Sequence, residues 1–168
     1  MKTKFLSIFA IASLAMLSCK KTESAIPAEP GTATIEGVIM APIDLGNDTN
    51  SAGVFINGFD NEFAKSGTQI TAIVDTEDLQ KNPQNGFTYE KLKFTTTVGT
   101  NGSFSFSNIP CYSTSIPVEL RFNDFKETQT QYDPSNNPAQ EKVFTLSNKT
   151  VQVYDGAVVI KEYDYSAN

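Results

Sequence analysis

The chain has 168 residues, 13 basic and 19 acidic side chains, a formal net charge of −6, and neither histidine nor tryptophan. Without histidine, Ser-His-Asp and Cys-His nucleophilic chemistry and zinc sites of the usual Cys/His type are excluded. The acidic balance, with Arg121 as the one arginine and the lysines scattered, argues against nucleic acid as a partner.

The first elements are not those of a folded domain. Met1-Lys2-Thr3-Lys4 is a short basic start, and Phe5 to Leu17 is an apolar run interrupted by Ser7 and Ser13. A membrane-spanning helix needs roughly 20 apolar residues, so this run is too short and reads instead as the core of a secretory signal. Met16-Leu17-Ser18-Cys19 resembles the lipobox of bacterial lipoproteins. Ser18 and Cys19 fit its last two positions, and Met16 and Leu17 depart from its first two. The resemblance implies cleavage after residue 18 and a covalent lipid on Cys19, whose several acyl chains would anchor the protein in a bilayer. The competing reading is ordinary secretion with Cys19 incidental. Lys20 stands where an aspartate would resemble an inner-membrane retention signal, so the outer membrane is the expected address. Lys20-Lys21-Thr22-Glu23 matches a surface-export signal in part, which leaves both the periplasmic face and the outer surface open.

Residues 19–31 carry Pro27 and Pro30 and no apolar period, as a tether would. Fully extended, about 12 residues reach roughly 40 Å. Residues 32–168 are expected to form one β-sandwich domain. Period-two alternation with β-branched and aromatic residues marks eight strands in chain order. They are Thr32 to Met40 with Ile35, Val38 and Ile39; Gly67 to Asp75 with Ile70, Ala72 and Val74 on one face; and Phe87 to Val98. Ser103 to Ser107, Ile116 to Phe122, Val143 to Leu146, Val151 to Val153 and Ala157 to Ile160 follow. Asn85-Gly86, Asn101-Gly102, Asp133-Pro134 and Asp155-Gly156 supply turns. A short helical turn is the most that Asp75 to Lys81 could form. The spacing predicts an all-β, antiparallel, Greek-key sandwich of seven to eight strands, with long loops at 41–53 and 123–140. With Cys19 acylated, Cys111 has no partner in the chain, and it is expected to be buried.

One stretch is more specific. Thr97-Val-Gly-Thr-Asn-Gly-Ser-Phe-Ser-Phe-Ser-Asn-Ile-Pro110 resembles the signature of carboxypeptidase-regulatory-like and transthyretin-like β-sandwich domains, in which a strand, a tight Asn-Gly turn and a Phe-x-Phe strand end on Ile/Leu-Pro. Ile35-Glu-Gly37-Val38-Ile39, Gly67 to Val74 and Val118 to Phe122 resemble neighbouring strands of that family. The resemblance implies a fold rather than an activity. The purine-pathway hydrolases of the transthyretin-like group use His and Arg residues and a Tyr-Arg-Gly-Ser ending; this chain lacks His and ends Tyr163-Asp-Tyr-Ser-Ala-Asn168. Adhesin domains with a Lys–Asn isopeptide bond need a lysine on the first strand, and residues 32–40 have none.

The remaining candidate chemistry is sparse. Asp75, Glu77 and Asp78 could form an acid/base pair, but their polar turn reads as a solvated loop. Asp44, Asn47, Asp48 and Asn50 group oxygen ligands that could hold Ca2+, against the plainer reading of a polar loop. Phe55, Phe59 and Phe63 recur every four residues, and Tyr132 lies in the second long loop. They could form a ligand surface, or simply cover one end of the sandwich. No other cofactor is implied. The expectation is a non-enzymatic, membrane-anchored envelope lipoprotein acting as a structural or protein-interaction module. The bilayer would be its partner through the anchor, with an envelope protein or glycan beyond it. The alternative is a glycan- or peptide-binding lipoprotein that uses loops 41–63 and 123–140.

Overall fold

The computed structural model describes residues 29–46, 52–54, 60–131 and 138–168. Eleven strands occur among them: β1 Gly31–Ala41, β2 Glu62–Phe63, β3 Gln69–Asp75, β4 Lys91–Thr97, β5 Ser103–Cys111, β6 Ile116–Phe122, β7 Phe125–Gln129, β8 Gln140–Thr145, β9 Lys149–Val153, β10 Val158–Asp164 and β11 Ser166–Ala167. The fold is an all-β sandwich, and the turn at Asp75 to Lys81 forms no helix. One sheet has the order β10-β1-β5, with β2 continuing the β5 edge. A second has the order β4-β3-β6-β9, and a short third sheet has the order β11-β8-β7.

β1 is the centre of the first sheet. Val38 pairs with Glu162 of β10 and with Ser103 of β5, and Met40 pairs with Asp164 of β10 and Phe63 of β2, so both edges of the strand are occupied. Its first residue, Gly31, lies inside the span read as tether. Ala33, Ile35, Ile39 and Ala41 are buried at alternate positions, whereas Val38 falls on the outer face and is half-buried. Gly37 occupies the missing inward position. A Cβ there would collide with the Lys161 carbonyl oxygen and meet the Phe104 ring at 3.0 Å, so the glycine lets β10 and Phe104 close over the strand.

β6 and β3 form the centre of the second sheet. Ile116, Val118, Leu120 and Phe122 of β6 all point inward, as do Ile70, Ala72 and Val74 of β3. The inward faces of the two sheets meet in one apolar core. Phe122 of β6 touches Tyr163 of β10 across it, edge-on, with ring centroids 5.2 Å apart.

The structure adds β2 and β11 to the eight expected strands and carries β10 on to Asp164, and it differs from the sequence-based strand map in four further respects. First, β1 and β10 run parallel, while the other paired strands are antiparallel. Second, Ile109-Pro110 does not end β5. Between the pairs Ala33–Ile109 and Ile35–Phe106, one residue of β1, Thr34, faces two of β5, Ser107 and Asn108. The extra residue is a bulge in which Asn108 takes φ 59°, a left-handed conformation that asparagine tolerates better than most residues. The bulge resets the alternation, so that Phe104 and Phe106 are buried, and then Ile109 and Cys111. Third, the strand expected to begin at Phe87 begins at Lys91. Fourth, the supposed loop 123–140 contains β7, whose inward positions are Phe125 and Gln129. Gln129 is 4 % exposed, and its amide donates to the Pro42 carbonyl at 2.7 Å. A buried amide that finds a backbone acceptor is tolerated in a core.

The third sheet is tied to the first by chain segments that pass from one to the other. After β1, the Leu45 N–H donates to the Thr130 carbonyl and the Thr130 N–H to the Ile43 carbonyl, so the outgoing chain lies alongside the end of β7. At the other edge, β10 passes through Tyr165 into β11. Tyr165 is 2 % exposed. Its N–H donates to the Met40 carbonyl at 2.9 Å and its hydroxyl to the Asn123 carbonyl at 2.7 Å. Its ring packs edge-on against Phe125, which stacks on Phe144.

Burial first, and the Asp124 charge second, push the Tyr165 phenol above the usual tyrosine range. An unfolded tyrosine ionises near pH 10. The stability this residue contributes is therefore full below about pH 10 and declines above it, because the unfolded chain gives up the proton first. Tyr165→Phe is expected to lower the unfolding free energy by about 1–2 kcal/mol at neutral pH. The gap from wild type should narrow above about pH 10. Urea denaturation across pH 7 to 11 measures both; an unchanged midpoint at pH 7 would contradict the bridging role.

Candidate functional site

Of the residues singled out by sequence, Cys19, Asn47, Asp48, Asn50, Phe55, Phe59 and Tyr132 lie outside the described residues. Asp44 and Phe63 are described. The Asp44 carboxylate accepts the Gly46 N–H at 2.8 Å and so closes its own turn. One oxygen of Glu62 takes the Ile43 and Asp44 N–H groups, each at 2.9 Å, clamping the exit from β1. Both carboxylates therefore have backbone partners. Among the described residues, no three His, Cys, Asp or Glu side chains converge as a metal site would require. Phe63 is 49 % exposed. It sits on β2 against the Asn101-Gly102 turn, where a Cβ on Gly102 would lie 2.9 Å from its ring and 2.7 Å from the Ile39 carbonyl.

Other reactive groups are committed elsewhere. Arg121 forms a forked pair with Glu119 at 2.9 and 3.0 Å, and Asn148 donates to the same carboxylate at 2.9 Å. The Arg121 hydrogen bond holds the Glu119 carboxyl below the usual range. Cys111 is fully buried, and burial first, then the Asp155 charge, push its thiol up. A buried thiol with little thiolate character is a poor nucleophile. Of the carboxylates in the turn after β3, Asp75 faces Lys91 at 3.8 Å and its other oxygen accepts the Glu77 N–H at 3.0 Å. Asp78 is held above the usual range by burial and, less strongly, by Asp75.

The hollow with the most defined chemistry lies where sequence reading expected a turn followed by the start of a strand. Residues 76–90 connect β3 to β4 and enclose an open groove of about 460 Å³. The loop is held at its base, where the Thr76 N–H and hydroxyl both donate to the Glu90 carbonyl, at 2.9 and 2.8 Å. Leu79 packs against the core. Local turns follow, from Asp78 N–H to the Asp75 carbonyl, Gln80 N–H to Glu77 and Phe87 N–H to Gln84. Gly86, with φ 80°, provides the reversal. The Tyr89 hydroxyl accepts the Gln84 N–H at 2.7 Å, and the Tyr89 ring meets Phe87 edge-on at 4.8 Å. Phe87 remains 62 % exposed. Besides the two rings, the groove is lined by Thr76, Gln80, Asn82, Gln84, Thr88 and Glu90.

The signal that could have pointed here was Asn85-Gly86 directly before Phe87. A turn at that position carries Phe87 and Tyr89 into the loop, where they pair with each other instead of alternating along a strand. A second hollow, of about 550 Å³, lies over the outer face of the first sheet beside Glu36, Val38, Ser105 and Ile160, and its floor is largely aliphatic and hydroxyl side chains.

No protein-family profile, curated protein or solved structure matches this chain.

Tyr89→Phe removes the acceptor that holds the Gln84 amide. At a net cost of about 1 kcal/mol, amide hydrogen exchange at Gln84 should accelerate by roughly five-fold while the denaturation midpoint stays put. Unchanged exchange at Gln84 would show that the hydroxyl does not order the loop.

Proposed function

We propose that this protein is a membrane-anchored, non-enzymatic lipoprotein of the cell envelope whose β-sandwich serves as a structural or protein-interaction module. The observation that carries the reading is the placement of Cys19. A small residue precedes it, a short apolar run with a basic start lies upstream, and the first strand of the sandwich begins at Gly31, twelve residues further on. Acylation at Cys19 would hold the domain within tens of ångströms of the bilayer. Lys20 supports the outer membrane as the address.

The domain's chemistry supports an interaction role over catalysis. The chain has no histidine, its one arginine is paired with Glu119, and its one cysteine beyond Cys19 is buried. The likeness of Thr97 to Pro110 to carboxypeptidase-regulatory-like sandwiches supports the same conclusion, because the likeness concerns a scaffold rather than an active site.

Cys19→Ala is expected to move the protein from the membrane fraction to the soluble envelope fraction, with the circular-dichroism spectrum of the domain unchanged. Retention of the variant in washed membranes would overturn the anchor.

A further inference from the structure

We propose that the groove formed by residues 76–90 is a binding site for a neutral carbohydrate. The inference goes beyond the anchored-module reading and does not depend on it, because the groove belongs to the folded domain whether or not Cys19 is acylated.

Phe87 is held in an unusual state. An aromatic ring exposed to this degree is normally free to turn, but this one is braced edge-on by Tyr89, which is itself held by the Gln84 N–H. A rigid ring with an open face is a stacking platform that costs little entropy to use. Polar groups surround it. Among the described residues, the side-chain amides of Asn82 and Gln84 and the Glu90 carboxylate are exposed and make no hydrogen bond to other protein groups, so they are free to face a ligand. Each amide offers both donors and an acceptor. Sugar hydroxyls also donate and accept, and the axial hydrogens of a pyranose give it an apolar face that suits a ring.

Charge narrows the ligand class. The one ionisable carboxyl in the lining is Glu90 and no cation lines the groove, in a chain of net charge −6. Phosphorylated, sulfated or uronic ligands would meet repulsion with nothing to neutralise them. Apart from the two rings the lining is polar, so it offers no apolar pocket of the kind that anchors a peptide side chain. The volume falls within the roughly 300–1,000 Å³ usual for small-ligand clefts.

The test is a titration of the isotopically labelled full chain with maltohexaose, mannohexaose and xylohexaose into the millimolar range, followed by the side-chain amide signals of Asn82 and Gln84. At least one of the three should shift those signals saturably. Phe87→Ala should weaken that binding by roughly ten-fold or more, the scale of a lost stacking platform, without altering the circular-dichroism spectrum. The double variant Asn82→Ala/Gln84→Ala should weaken it independently, while Cys19→Ala should leave it intact. Silence from all three sugars, binding indifferent to Phe87→Ala, or saturable binding of tri-galacturonate or an extended peptide in their place would overturn the proposal.

Discussion

The structure depends on the pairing of β1 along both of its edges. A strand whose N–H and C=O groups are taken on both sides cannot leave the sheet without breaking both ladders at once, and in a buried setting each unpaired group is costly. β10 occupies one edge in parallel, and β5 with β2 occupies the other. Gly37 permits this arrangement, because any larger residue would push away the Lys161 backbone or the Phe104 ring. The strand that follows the proposed anchor is thus the best-held element of the domain. A pull transmitted from the membrane would act on the centre of the sheet rather than on a frayed edge.

The same constraint organises the rest of the sandwich. β10, the parallel neighbour of β1, places Tyr163 against Phe104 and Phe122 and hands the chain to Tyr165. Tyr165 then joins the end of β1, the β6–β7 turn and the aromatic stack of the third sheet through two hydrogen bonds and one ring contact. Asp155 supports the other end, where its carboxylate accepts the Thr32 N–H at 3.1 Å and its N–H donates to the Tyr112 carbonyl. β1 and β10 therefore hold each other in register. Long-range pairing of this kind is slow to form and cooperative once formed.

Strands with one wet and one dry face were legible because alternation of side chains is a direct consequence of the pleat. Ile116 to Phe122 and Ile70 to Val74 read correctly for that reason. The bulge at Asn108 was not legible, because it inserts one residue into an otherwise regular pattern and no side chain announces it. β7 was hidden by Gln129, a polar residue at an inward position that is satisfied only once Pro42 lies beside it. The far half of β10 was obscured because Lys161, Glu162 and Asp164 are charged residues at a sheet edge and break the apolar alternation read over Ala157 to Ile160. The candidate site was less legible than the fold. Asp44 turned out to close a local turn, and Phe63 to rest on Gly102. The groove at 76–90 depends on a loop conformation that brings Gln84 and Tyr89 together, a contact that composition does not predict.

The fold and the proposed anchor together would give a domain with little reactive chemistry among its described residues, held on a short tether at a membrane, with a polar, aromatic-lipped groove on the loop at 76–90. The central claim of that account is the covalent fate of Cys19. Mass spectrometry of the N-terminal peptide of the protein isolated from its native membranes tests it most directly. The account predicts a peptide that begins at Cys19 and carries the mass of a diacylglyceryl thioether with an additional N-acyl chain. A mature N-terminus at any other residue, or an unmodified Cys19, would contradict it.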